Sequence, residues 1–360
     1  MASSNTQDFK TPNTHLTNCQ ISTPHPLSST PEEDSLFTIF RRLVPLVSNG
    51  KIIHLNAGFM PPSNMVVGDA ISRFCAEALY HESPKPLWKQ DTEQLRSLLA
   101  RHLQTEPSSL AFVRDTTEGL GSFMHGLRFE KGDNVVILDY VCAKFRPQGV
   151  HVLADLTQEV GFADVNIARL GVSAASFSMH KGLNTPTGIA VLYMDPEVVA
   201  ELEPIPPLIG YGGIANMSED APLVEGPIEF HPTARRYEHT NMGWINVVCG
   251  RAFMEFYLDV MGPKNVENHL YGIGDHLRRT CAALGIEIIG PQNKKQHSPH
   301  LYVLRLQDDR WYEHLREAGV IVTKLATGIR VSFGFYNNLA DIDRLGDVLK
   351  AGTTQGIPLA

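Results

Sequence analysis

A lysine stands between two strand-like apolar runs, and few folds tolerate that arrangement. Ser176-Phe177-Ser178-Met179-His180 is small and strand-like, and it ends at Lys181-Gly182-Leu183. A Gly/Thr/Pro loop, Asn184 to Gly188, follows, and then a second apolar strand from Ile189 to Tyr193. Burying an unpaired ammonium is costly, and desolvation lowers its pKa. A lysine exposed in a hairpin loop would be ordinary. The residues around this one make the ordinary reading less economical. Asp155 ends the apolar run Val150-His151-Val152-Leu153-Ala154, Thr116-Thr117-Glu118-Gly119 opens a helical stretch, and Arg330 lies in a strand near the C-terminus.

Composition narrows the function classes. The 360 residues suffice for two domains or one large one. A net charge of −8 and a pI near 6.0 argue against a nucleic-acid or anionic-membrane surface. No apolar run approaches the roughly 18 residues of a membrane span. Cys19, Cys75, Cys142, Cys249 and Cys281 are scattered, odd in number and without a CxxC pair. That pattern fits free thiols in a reducing compartment, with no zinc site or other metal centre, and a cytoplasmic location is expected. No GxGxxG follows a first strand, which leaves a nicotinamide-binding oxidoreductase without its fingerprint.

Residues 1–29 are rich in Ser, Thr, Asn, Gln and Pro and read as a flexible tail. Thr30-Pro31-Glu32-Glu33 has the signature of a capped helix start. Strands are expected at 52–55, 110–113, 135–138 and 149–154, with helices at 64–80, 91–104 and 117–127. This alternation predicts an α/β domain over 30–240 with a mostly parallel central sheet and helices on both faces. A Gly/Pro-rich stretch from 204 to 239 interrupts the pattern. Residues 241–360 read as a smaller α+β domain, with the N-terminal helix a candidate to pack on it. Asn338 is the expected cap of the last helix.

Lysine, aspartate, a helix N-terminus and an arginine are what a pyridoxal phosphate site requires. Four segments carry a resemblance: Leu55-Asn56-Ala57-Gly58; Thr116-Thr117-Glu118-Gly119; Asp155-Leu156-Thr157-Gln158 through Ser178-Met179-His180-Lys181; and Ile329-Arg330-Val331-Ser332 with Phe335-Tyr336-Asn337. In their order they resemble the class V aminotransferase superfamily, pyridoxal-phosphate enzymes of fold type I, in the branch of isopenicillin N epimerase-like proteins and cysteine desulfurases. The resemblance implies a Schiff base on Lys181 and a Cα carbanion, with an amino acid as substrate. It implies that Asp155 pairs with the ring nitrogen, that Gln158 bonds the phenolic oxygen, and that Thr116, Thr117, Ser178 and His180 hold the phosphate. Thr240 and Asn241 match a segment that reaches the partner's phosphate in a homodimer, although His239 replaces the usual preceding glycine. Arg330 would bind the substrate carboxylate, and Asn56 would sit at the mouth of the site. On their own, Gln158 also reads as a surface amide, the threonine pair as a helix cap, and His180 as a buried core histidine.

The pattern departs from the family in two places. Val322 to Ile329 is short and lacks the loop cysteine of desulfurases, which favours epimerase-like or C–S lyase-like chemistry. The interval from Asp133 to Asp155 is also shorter than in the family, where it carries the residue that stacks on the cofactor ring. Tyr140 is the replacement candidate. The competing reading is a catalytically impaired, truncated homologue.

Overall fold

The computed structural model describes residues 36–128, 142–203, 205–217, 226–239, 241–291, 293 and 296–359. The capped start at Thr30–Glu33, the strand expected at 135–138, Tyr140 and Thr240 lie outside them.

The central sheet is assembled around the lysine loop. Its strands are β2 (Leu110–Val113), β3 (Leu153–Asp155), β4 (Ala174–Ser178) and β5 (Ala190–Met194), in the order β2-β5-β4-β3. β3 and β4 run parallel, with Asp155 opposite Ser176. β5 is antiparallel to both β4 and β2. The described sheet is therefore mixed within an α/β fold, where a mostly parallel one was expected. The cause is the Lys181 loop. Residues 179–189 contain no crossover helix, and strands joined without one return antiparallel. β3 also starts later than expected, because Arg146–Gln148 forms a 3₁₀ turn closed by Gly149 at φ +78°.

The helix Thr116–Gly126 packs on β4 through a glycine. A Cβ on Gly119 would lie 2.3 Å from Ser176 Oγ, so only glycine permits this approach. The helix Lys85–Leu103 begins earlier than expected, since Pro86 fits its first turn. Of the four leucines whose helical spacing predicts one apolar face, Leu95, Leu99 and Leu103 are buried and Leu98 is half-buried. This helix and Met65–Tyr80 both pack against Trp244–Glu255.

A second, antiparallel sheet has the order β6-β7-β10-β9, from Ile288–Ile289, Leu301–Leu304, Gly328–Ser332 and Thr323–Leu325. The helix Leu339–Thr354 packs against Pro263–Ala283 and Arg310–Glu317. Asn338 caps it, in a reciprocal capping box with Asp341. The N-terminal part of the chain reaches this region twice. β1 (Ile53–His54) pairs in parallel with β8 (Val320–Ile321), and Asn56 continues the contact onto Ser332. Arg41 makes a two-pronged bond to Asp341, at 2.8 and 3.0 Å. No helix among the described residues is long and apolar enough to cross a membrane.

Arg96 and Glu238 form a buried ion pair beneath β2. Arg96 Nη1 donates to Glu238 Oε1 at 2.6 Å, and the Phe112 amide donates to the same oxygen at 2.9 Å. Breaking a buried pair leaves an uncompensated charge. Arg96→Met is expected to cost about 3–5 kcal/mol in denaturant unfolding, well above an exposed arginine change such as Arg128→Met.

Burial pushes the pKa of His54, His102 and His269 down from 6.5 to about 4. Among the described residues, neither ring nitrogen of His102 has a hydrogen-bond partner. The unfolded chain takes up protons below pH 6.5 that the folded chain refuses, so stability is full above that pH and falls as pH drops toward 4. His102→Leu is expected to flatten this acid limb by about 1 kcal/mol per pH unit in urea titrations between pH 7 and 5.

Candidate active site

Lys181 follows β4 on a loop that is fixed from both sides. Met179 and Leu183 are buried on either flank, and the Met179 amide bonds Ile189 O at 3.2 Å. Bare backbone supports the loop from behind. Gly161 has φ +88°, and a Cβ there would sit 2.4 Å from the Gly182 carbonyl carbon. A Cβ on Gly182 would meet Val160 O at 2.2 Å. The lysine itself is half-buried. Desolvation lowers its pKa from the usual value; Asp155 pulls it up and Arg330 pushes it down. Lys181, Asp155 and Arg330 thus share one electrostatic neighbourhood, as their residue types suggest. Asp155 is exposed at the end of β3, where its Oδ1 accepts from the Thr157 amide at 2.9 Å.

Three hydroxyls meet at the start of the helix Thr116–Gly126. Thr116 Oγ1 lies 2.7 Å from Ser178 Oγ and 2.9 Å from Thr157 Oγ1. Asp115, not a threonine, caps the helix by accepting from the Glu118 amide at 2.8 Å. That leaves the Thr116 hydroxyl to face β4. Thr117 is exposed. His180 is half-buried, with its pKa lowered by desolvation and then by Lys181. Asn241 is exposed and lines a cleft of about 300 Å³ with Arg114, Glu118 and His239. His239 Nε2 lies 2.6 Å from Glu118 Oε1.

Arg330 comes from β10. Its Nη2 donates to Thr323 Oγ1 at 3.1 Å, and Thr323 Oγ1 donates to Asn56 Oδ1 at 2.6 Å. Arg330 Nε is buried without a partner, and among the described residues no carboxylate pairs with this guanidinium. Gln158 is tied in from the opposite side. Its Nε2 donates to Gly58 O at 2.9 Å, and its Oε1 lies 3.1 Å from His300 Nε2.

His300 is fully buried and stacks on Phe162 with ring centroids 3.6 Å apart. Its Nδ1 lies 2.7 Å from Ser298 Oγ. Because Gln158 Oε1 can only accept, neutral His300 carries its proton on Nε2 and donates to Gln158; its Nδ1 then competes with Gln158 O, 3.1 Å from Ser298 Oγ, for the single Ser298 hydroxyl proton. Burial, then Arg330 and Lys181, push its pKa down to about 3.

Thr157, His300 and Thr323 were not identified from the sequence. Thr157 lies inside the Asp155–Gln158 segment, so its hydroxyl was there to be weighed. The other two carry no local signal. His300→Phe keeps the stack on Phe162 but strands Gln158 Oε1, while Ser298 Oγ keeps its bond to Gln158 O. It is expected to cost about 1–3 kcal/mol in unfolding free energy at pH 7, and His300→Gln, which restores a donor, is expected to cost less.

The Aminotransferase class-V family profile matches residues 138–345. An uncharacterized protein of Schizosaccharomyces pombe is 38% identical over 385 positions, spanning 89% of this chain and 88% of its own. An uncharacterized aminotransferase of the same organism is 36% identical over 384 positions, spanning 89% of this chain and 96% of its own. Both alignments are longer than the 360 residues of this chain, so each relative carries residues with no counterpart here. Among solved structures, the apo cysteine desulfurase of Thermococcus onnurineus NA1 has a TM-score of 0.74 at 17% identity, covering 91% of this chain and 100% of that one. On this sequence match, with a fold to agree with it, the chain belongs to the class V aminotransferase family of pyridoxal-phosphate-dependent enzymes.

Proposed function

We propose that this chain acts at Cα or Cβ of an α-amino acid, in epimerase-like or C–S lyase-like chemistry, with pyridoxal phosphate held on Lys181. The reading rests on one observation above all: Asp155 and Arg330, from separate segments, both lie close enough to act electrostatically on Lys181. The residues fit the cofactor. Three hydroxyls gather at a helix N-terminus, which suits a phosphate. A carboxylate stands at a strand end near the lysine, and a guanidinium nitrogen is buried without a partner.

When bound, pyridoxal phosphate supplies an electron sink for negative charge at Cα. Asp155 would hold the proton on the ring nitrogen. Thr116 and Ser178 would hold phosphate oxygens, with Thr117 and His180 beside them and Thr240 and Asn241 completing a partner's site. Gln158 carries a second amide proton beyond the one given to Gly58 O, which is available for the phenolic oxygen. Arg330 would fork onto the substrate carboxylate beside Asn56. The Lys181 amine, its pKa lowered by burial, would move the proton at Cα.

Desulfuration through a loop cysteine is disfavoured. β9 and β10 are joined by the tight turn Ala326–Thr327, with Gly328 opposite Leu325. Burial pushes the thiols of Cys249 and Cys281 up to about 11 and 12, which leaves little thiolate at neutral pH. A second reading, an impaired homologue, is favoured by the relatives' extra residues and by a family match that begins at residue 138, inside the short interval. A cytoplasmic homodimer, with a large domain to residue 240 and a smaller one beyond, completes the proposal.

Absorption spectroscopy with added pyridoxal phosphate, followed by borohydride reduction and peptide mapping, tests the reading. A yellow protein with the reduced adduct on Lys181 is expected. A folded but colourless protein with Lys181 unmodified would favour the impaired homologue. Light scattering after size exclusion is expected to give a dimer at micromolar protein.

A further inference from the structure

We propose that Thr323 is a positioning residue for substrate recognition: its single hydroxyl sets both Arg330 and Asn56 for one carboxylate. The proposal rests on the reading of Arg330 as the carboxylate clamp. The β9–β10 register puts Thr323 directly opposite Arg330. Side chains at such cross-strand positions lie within about 4.5–5.5 Å at Cβ. The tight turn two residues beyond fixes that register, so the contact does not depend on a mobile loop.

The direction of the arginine bond is forced. A guanidinium has no acceptor, so Arg330 Nη2 donates and Thr323 Oγ1 accepts, at 3.1 Å. The hydroxyl proton is then free to go to Asn56 Oδ1, at 2.6 Å. In that orientation Oδ1 is committed to Thr323 and Nδ2 is the end left for a ligand. Asn56 itself is held by its bridge to Ser332 and is 9% exposed. Arg330 Nε remains buried and unpartnered. One hydroxyl therefore leaves two donors, on different segments of the chain, without a partner among the described residues.

The chemistry of the spacer matters. A hydroxyl accepts from Arg330 without neutralising it. A carboxylate at 323 would satisfy the guanidinium internally and compete with the substrate. A valine would keep the shape but free Asn56 to flip and strand Arg330 Nη2.

The test is a spectral titration of protein loaded with pyridoxal phosphate, using two matched pairs that differ only in a carboxylate: glycine against methylamine, and L-alanine against ethylamine. Wild-type protein is expected to prefer the amino acid of each pair. Thr323→Val is expected to raise the apparent Kd for the amino acids about tenfold and leave the amines unchanged. Thr323→Ser is expected to retain the wild-type preference, and Thr323→Asp to lose it. Should the valine variant not fold, the serine and aspartate variants carry the comparison. A valine variant with the full wild-type preference, or an aspartate variant that keeps it, overturns the proposal. A wild-type protein that takes up cofactor on Lys181 but treats both pairs alike overturns the reading of Arg330 and the proposal with it. Lack of any adduct on Lys181 overturns the cofactor reading itself.

Discussion

The loss of solvation at Lys181 is the constraint on which the rest of the site depends. An amine that is partly removed from water resists protonation, and only nearby negative charge offsets that. Asp155 supplies the charge from the end of the neighbouring strand, while Arg330 works against it. The amine is thereby held away from the behaviour of a surface lysine. Gly161 and Gly182 allow the backbone contact that keeps it there, and Gly119 lets the helix Thr116–Gly126 close on the same strand. Glycines, one of them costly inside a helix, are what let these segments approach so closely.

Around this centre, neutral groups do much of the positioning. His300 is kept uncharged beside two cations, and its Nε2–H orients Gln158. Thr323 holds Arg330 without cancelling its charge. Three hydroxyls, not a cation, mark the helix N-terminus facing β4. Neutral partners leave the Arg330 charge uncancelled; a carboxylate in their place would offset it.

How much of this was legible in the sequence follows from the physics of each signal. Lys181, Asp155 and Arg330 could be picked out because an ionisable residue at an apolar strand end is unusual wherever it occurs. Asn338 could be read as a cap because capping is local. The direction of β5 was missed, since strand direction depends on what the connecting loop does in space. His300 and Thr323 were missed because their partners are distant in sequence or set by hairpin register. Thr157 was overshadowed by the charged residue two positions before it.

Lys181 is a desolvated amine tuned by Asp155. Competitive acylation of the cofactor-free protein across pH, with quantification of the Lys181 peptide, measures this directly. Lys181 is expected to titrate below the ordinary lysine value of 10.5, and Asp155→Asn to move its midpoint lower still. A midpoint at or above the ordinary value, or one that Asp155→Asn does not move, would contradict it.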